Sequence, residues 1–328
     1  LSQFLSNCSA DALAVAAQAL KDGSLVAFPT ETVYGLGADA TSAESVARIY
    51  EVKGRPADHP LIVHIADLKY LDQWISDIPK YAIALARNFW PGPMTLILRR
   101  SELAKDFITG GQNTVGIRIP DNSLALGLLE AFNKLGGAGI AAPSANRFGQ
   151  VSPTTVEAVK EEIGDYLSDT DLVLDGGSSA VGLESTIIDC TSSSPRILRP
   201  GAITIEMIEE VSGLIVSESI GIKSDYLSEE SIRVSGSLEN HYAPKAKVFL
   251  DQQPVDGSGF IALDEIETPD GVIRLAAPKS VEEFARVLYA ALREGDHQHL
   301  DSIYIAQPAG DGLAIAIRDR LSRSAKGR

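Results

Sequence analysis

Two cations flank a glycine in the run Lys53-Gly54-Arg55-Pro56-Ala57-Asp58-His59-Pro60, which leads into the apolar segment that carries His64. Lysine offers a point charge and arginine a planar donor fork, a combination suited to polyphosphate. Each charge-assisted bond contributes roughly 1.5 to 3 kcal/mol net. A solvated basic loop closing a helix would look similar, but in a chain of formal charge -15 a local anion site is the better account. A second cluster, from Phe28 through Pro29, Thr30, Glu31, Thr32, Val33 and Tyr34 to Gly37, ends an apolar run in hydroxyls and a carboxylate. Its glycines would let backbone approach a ligand, although a turn with threonine capping a helix reads equally well.

Further clusters carry the same chemistry. Ala141-Ala142-Pro143-Ser144-Ala145-Asn146, with Ser152 soon after, puts small residues and hydroxyls behind a strand and leaves room for a nucleotide, or else caps the next helix. Thr114 and Arg118 bracket the apolar stretch Val115 to Ile117. An arginine inside a strand is costly unless paired, so a carboxylate or phosphate is its natural partner. Finally, Gly182-Leu183-Glu184-Ser185-Thr186 opens one strand and Arg199 ends the next. If those two strands form a hairpin, Ser185 and Arg199 meet at one rim. Alone, His64 reads as a core histidine.

Composition removes several alternatives. With 45% apolar and 22% charged residues, the 328-residue chain is ordinary globular protein, long enough for two domains or for one with an appendage. The charge of -15 argues against broad adhesion to nucleic acid or anionic membrane, so no stable binding of either is expected. Cys8 and Cys190 are far apart and encode neither a disulfide framework nor a zinc ribbon. There is no HExxH, DxDxDG, GxSxG, GxGxxG or GxxxxGK[ST] string, and a protein-held metal is not expected. No apolar run approaches the roughly 20 residues of a membrane span, and Leu1 to Ala10 lacks the pattern of a signal peptide, so a cytoplasmic location is expected. What remains is chemistry by positioning and electrostatics, as in phosphoryl and nucleotidyl transfer.

The elements that must position these residues follow from periodicity. Helices are predicted at Ser9 to Lys21, Ser42 to Val52, Ala82 to Asn88, Ser123 to Leu135 and Thr154 to Ile163. Strands are predicted at Leu25 to Phe28, Leu61 to Ile65, Thr95 to Leu98, Val115 to Ile119, Gly139 to Ala142, Leu172 to Leu174, Thr186 to Ile188 and Arg196 to Leu198. Their incomplete alternation predicts a mixed α/β sheet with hairpins. After Ile205, where a helical stretch is read as ending, a polar segment runs to about Asn240 as a linker. Four strands and two helices then predict a small doubly wound α/β domain. The expected division is 1–205, a linker at 206–245, and 246–328.

Taken in order, PTETVYGLG, KGRP with PLIVH following, FWPGPMTLIL, VGIRIP, APSAN, ESTIID and ILRPGA resemble the YrdC-like threonylcarbamoyl-AMP synthases from about Cys8 to Ile205. HYAPKAKV and GLAIAIRDRLSRSA resemble that family's long branch. The resemblance implies a twisted open mixed sheet with a large concave cavity, followed by a smaller Rossmann-like domain. It implies that threonine, bicarbonate and ATP with Mg2+ give threonylcarbamoyl-AMP and pyrophosphate, the product passing to a tRNA threonylcarbamoyl transferase. Carried over by position, Thr32, His64, Arg118, Ala142 and Ser185 would hold threonine. Arg55, His59, Thr114, Ser144, Ser152 and Arg199 would hold ATP, with Lys53 and Asn146 close by. The segment Ser235 to Tyr242 would close over the nucleotide, Ser235 and Tyr242 being its candidate contacts.

In that scheme Lys53 and Arg55 are the expected catalytic cations, stabilising charge on the phosphate oxygens together with Arg199 and magnesium. No residue stands out as a general base; His64 is a candidate. Two other readings stay open at this point: an RNA binder using a concave surface, and the carbamoyl chemistry of hydrogenase maturation. The first conflicts with the acidity of the chain, and the second with its lack of zinc-finger cysteines.

Overall fold

The computed structural model describes residues 3–5, 9–218, 232–236 and 242–327. Cys8 and parts of the expected linker, 219–231 and 237–241, lie outside them. Among the described residues, one sheet runs in the order Gln3–Leu5, Leu172–Leu174, Val26–Phe28, Gly35–Asp39, Ile140–Ala141, Ile62–His64, Thr114–Arg118, Met94–Arg99, Thr186–Asp189, Arg196–Arg199, Ser217–Glu218. Pairing is mixed, as the pattern predicted. Ile62–His64 lies parallel to Thr114–Arg118, whereas Val26–Phe28 and Gly35–Asp39 are antiparallel.

Helices cover both faces, because successive strand residues point opposite ways. Val26, Phe28 and Ile140 pack under the helices Ala10–Lys21 and Ser123–Lys134, while Ala27 and Ala141 belong to the larger cluster on the other face. The first helix starts where Ser9 accepts a hydrogen bond from the Ala12 amide at 3.2 Å, and it buries Ala16, Ala17 and Leu20. The helix Ala43–Lys53 stops at Gly54, whose φ of 60° is left-handed and turns Arg55 back toward the sheet.

Three local readings change. Gly35 to Gly37 looked like a loop but form the strand Gly35–Asp39. Its glycines leave space for the Phe28 ring, since a Cβ at Gly37 would come within 2.8 Å of that ring. A helix does not end at Ile205 but starts there: Thr204 caps Ile205–Ser212, which packs on the helix Lys80–Phe89. Ser217–Glu218 then pairs with Arg196–Ile197, so residues 206–218 of the expected linker are built into the larger unit.

The second sheet, ordered Lys247–Leu250, Ser302–Ile305, Gly259–Ile261, Ile273–Ala276, is wholly parallel. Its helices Val281–His297 and Leu313–Ser324 both pack on the face of Val248, Ile261 and Ile303. The opposite face carries Phe249, Phe260 and Tyr304, and no described helix covers it. The winding is therefore one-sided where a doubly wound domain was predicted. Val33, Val151 and Leu183 of the larger unit share an apolar cluster with Phe284 and Leu288. The two units are thus joined by core packing, and the ion pair Arg293–Glu162 at 2.7 Å crosses the same boundary. No described helix is long and apolar enough to cross a membrane.

Candidate active site

The strand ends converge on one recess. Of the residues singled out in the sequence, Thr32, Arg55, His64, Arg118, Ala142, Ser144, Ser185, Arg199, Ser235 and Tyr242 line it. A roomier depression near Arg99 contains none of them, and Arg100 there is already bonded to Asp106 at 2.6 Å. Size therefore does not select the site; the convergence of buried cations and hydroxyls does.

Arg118 ends its strand beside His64, with which it is in register on the neighbouring parallel strand. Its side chain is paired with Glu31 at 2.7 Å, so the partner that a strand-borne arginine requires is supplied from inside the chain. Arg118 Nε has no hydrogen-bond partner among the described residues and can still serve a second anion. His64 is buried, and burial together with Arg118 pushes its pKa down to about 3. The ring is neutral at ordinary pH and its Nδ1 has no hydrogen-bond partner among the described residues, so it offers a polar contact but no charge. Thr32 is held by Thr30, their hydroxyls 2.8 Å apart.

Arg55 and Arg199 form the second group of charges. Arg55 donates to Pro60 O at 2.9 Å and to Ser235 Oγ at 3.2 Å. Burial lowers its pKa to about 10, so it keeps its charge at neutral pH. Arg199 donates from Nε and Nη2 to Ser185 O, at 3.1 and 2.9 Å, and from Nη1 to Ser235 O at 3.0 Å. This is the antiparallel hairpin rim at which Ser185 and Arg199 were expected to meet. Ser185 Oγ in turn lies 2.7 Å from Thr95 Oγ1.

Other candidates sit behind the lining or beside it. Lys53 is the main correction. Its Nζ donates to Ser144 O at 2.6 Å and to Asn146 O, it is 1% exposed, and it does not line the recess. Burial, with Arg55 nearby, holds it well below the ordinary lysine range. Two main-chain carbonyls take two of its three donors and hold the buried Nζ outside the recess, which makes Lys53 a tie for the Ser144 loop in place of the expected catalytic cation. Asn146 is likewise turned inward, donating to Arg147 O and Gln150 O at 2.8 and 2.9 Å. Ser152 donates to Glu184 at 2.6 Å. His59 packs edge-on against Phe148, 5.3 Å between centroids, outside the recess. Thr114 lines a narrow neighbouring pocket that shares Ile62 and Ser235 with the recess.

Three contributors were missed. Glu31 and Glu184 were visible as carboxylates within the motifs but carried no assigned role. Arg320, from the last helix, donates to Glu184 at 2.8 Å from more than a hundred residues away. Burial alone would raise the Glu184 carboxyl, but Arg320 and Arg199 outweigh it and hold the pKa at about 2. No cluster of three metal-ligating side chains occurs among the described residues.

Residues 18–201 match the family described as "Telomere recombination", and residues 203–326 match "Threonylcarbamoyl-AMP synthase, C-terminal domain". Threonylcarbamoyl-AMP synthase of Pyrococcus abyssi is 39% identical, over 94% of this chain and 93% of that protein. The Bacillus subtilis enzyme of the same name is also 39% identical, over 96% and 93%. The crystal structure of P. abyssi Sua5 complexed with L-threonine superposes with a TM-score of 0.88 at 36% identity, covering 99% of this chain and 98% of that one. With both matched regions laid end to end, and relatives alike over nearly their whole length, the chain belongs to the threonylcarbamoyl-AMP synthase family in its two-domain form.

Proposed function

We propose that this chain converts L-threonine, bicarbonate-derived carbon dioxide and the magnesium complex of ATP into threonylcarbamoyl-AMP and pyrophosphate. The observation that carries the reading is the separation of charges within one recess. Arg118 stands at the Thr32 and His64 end, whereas Arg55 and Arg199 stand together beside Ser235. One cation suits an amino-acid carboxylate, and two suit a polyphosphate. The names of the relatives fit this division, and the Pyrococcus protein has been seen with L-threonine.

Two bond-forming steps follow. The free threonine amine attacks carbon dioxide: a C–N bond forms as one C=O π bond opens onto oxygen, and the amine proton goes to the hydroxide that bicarbonate releases, giving the carbamate and water. A carbamate oxygen then attacks the α-phosphorus, an O–P bond forms and pyrophosphate departs with its bond electrons. Charge gathers on phosphate oxygens during the second step, where Arg55 and Arg199 stabilise it. Magnesium belongs to the ATP in this reading and screens the leaving group. Neutral His64 orients threonine and adds no second positive charge. In this proposal residues up to 218 form the catalytic unit, the chain beyond it is the connection to the second unit, and the product goes on to a cytoplasmic transferase that modifies tRNA.

The test is pyrophosphate release. With ATP and bicarbonate present, release is expected to depend on threonine and to be much weaker with serine. Release that ignores the amino acid would contradict the proposal.

A further inference from the structure

The last helix reaches behind the recess and holds two points of its wall at once. Arg320 is 1% exposed, although it lies on the second unit. Its Nε donates to Glu184 Oε2 at 2.8 Å, and its Nη2 donates to Pro200 O at 2.9 Å. Glu184 immediately precedes Ser185, and Pro200 immediately follows Arg199. One planar guanidinium therefore spans the two ends of the hairpin whose rim faces the recess. Tyr289, from the other helix of the second unit, donates to the same Glu184 oxygen at 2.9 Å, and Ser152 takes the second oxygen.

The chain is shaped to allow this reach. Gly182, just before Glu184, has φ 81°, and a Cβ there would lie 2.5 Å from Arg286 Cα, so its hydrogen lets the helix Val281–His297 close in. Arg320 also lies over the Tyr242 ring, 5.4 Å from its centroid, and Tyr242 stacks on Tyr289. A lysine in place of Arg320 brings one point charge and lacks the planar fork whose separate Nε and Nη2 meet Glu184 and Pro200 O.

We infer that Arg320 is a positioning residue: by binding Glu184 and Pro200 O together it sets the place of Arg199, so the second unit contributes to ATP binding from behind the site. This rests on the reading of Arg199 as a phosphate contact. The negative charge of Glu184 lies between Arg320 and Arg199, both buried, and keeps two like charges compatible in one wall. Arg320 touches no substrate. Its effect reaches the nucleotide only through Glu184 and the hairpin.

The test uses the full chain and a non-hydrolysable ATP analogue in calorimetry, with threonine titrated separately. Arg320→Lys is expected to bind the analogue about tenfold more weakly, with threonine affinity within about twofold of wild type. Arg293→Gln, which removes the interface pair with Glu162 and the bond to Val151 O, gives the comparison for loss of interface contacts that touch neither Glu184 nor Pro200. It should lower the melting temperature at least as much while weakening the analogue less. Combining Glu184→Gln with Arg320→Lys should be no worse than the worse single change, because both act along one path. The inference is overturned if folded Arg320→Lys binds the analogue normally, if it loses both ligands equally, or if Arg293→Gln weakens the analogue as much. Failure of wild type to bind the analogue at all would instead overturn the functional reading beneath it.

Discussion

The Glu31 carboxylate lies 2.7 Å from Arg118 Nη2, and the two side chains are only 7% and 6% exposed. The pair keeps a buried guanidinium compensated before any substrate arrives. Arg118→Ala is expected to raise the threonine KM by about 10- to 100-fold, the range of one lost charge-assisted contact, while the ATP KM moves by less than about threefold. Steady-state kinetics with each substrate varied in turn checks this. Equal loss for both substrates would contradict the carboxylate role.

Lys53 gives a different expectation. Because its Nζ ties two carbonyls of the Ser144 loop, Lys53→Met should cost about 2 kcal/mol of stability by leaving them unsatisfied. ATP binding should fall with the loss of the loop's shape. Chemical denaturation of the variant measures the first effect. A fully stable Lys53→Met protein that still loses ATP binding would restore Lys53 as a direct phosphate contact.

Glu184 makes stability depend on pH. Its folded pKa of about 2 lies below the ordinary 4.5, so its contribution is complete above 4.5 and disappears as pH falls toward 2. The size is on the order of 3 kcal/mol. Between pH 5 and 2 the wild type should therefore lose more stability than Glu184→Gln, which starts lower and falls less steeply. Denaturation curves across that range test the sign, and parallel curves would refute it.

His64 should make no such difference near neutrality. With its pKa pushed down to about 3, it stays neutral throughout the range where a free histidine titrates. Threonine affinity measured by calorimetry between about pH 5.5 and 8 should show no inflection near the ordinary value of 6.5. A tightening below that value would mean that the ring takes up a proton on binding.

The sequence made the strand-end chemistry legible because it is local. Hydroxyls in Thr30 to Thr32, the Ser185 start of one strand and the Arg199 end of the next all show without a fold, and the hairpin argument alone put Ser185 beside Arg199. What escaped depends on distant partners. Lys53 reads as a free cation until the fold brings it the carbonyls of residues 144 and 146, some ninety positions away. Arg320 reads as one more charge on an amphipathic helix until that helix docks behind Glu184. The strand Gly35–Asp39 was hidden because glycine signals a loop, whereas here it leaves space for Phe28. Thr204 caps a helix where a polar run had signalled a linker.

The central claim is that threonine is activated as its carbamoyl adduct and not as a simple aminoacyl adenylate. Incubation with ATP, threonine and carbon-13-labelled bicarbonate, followed by mass spectrometry of the adenylate, tests it most directly. The expected product is threonylcarbamoyl-AMP bearing the label, formed with one pyrophosphate per adenylate. An unlabelled threonyl-AMP, or pyrophosphate released without any threonine-containing adenylate, would contradict the account.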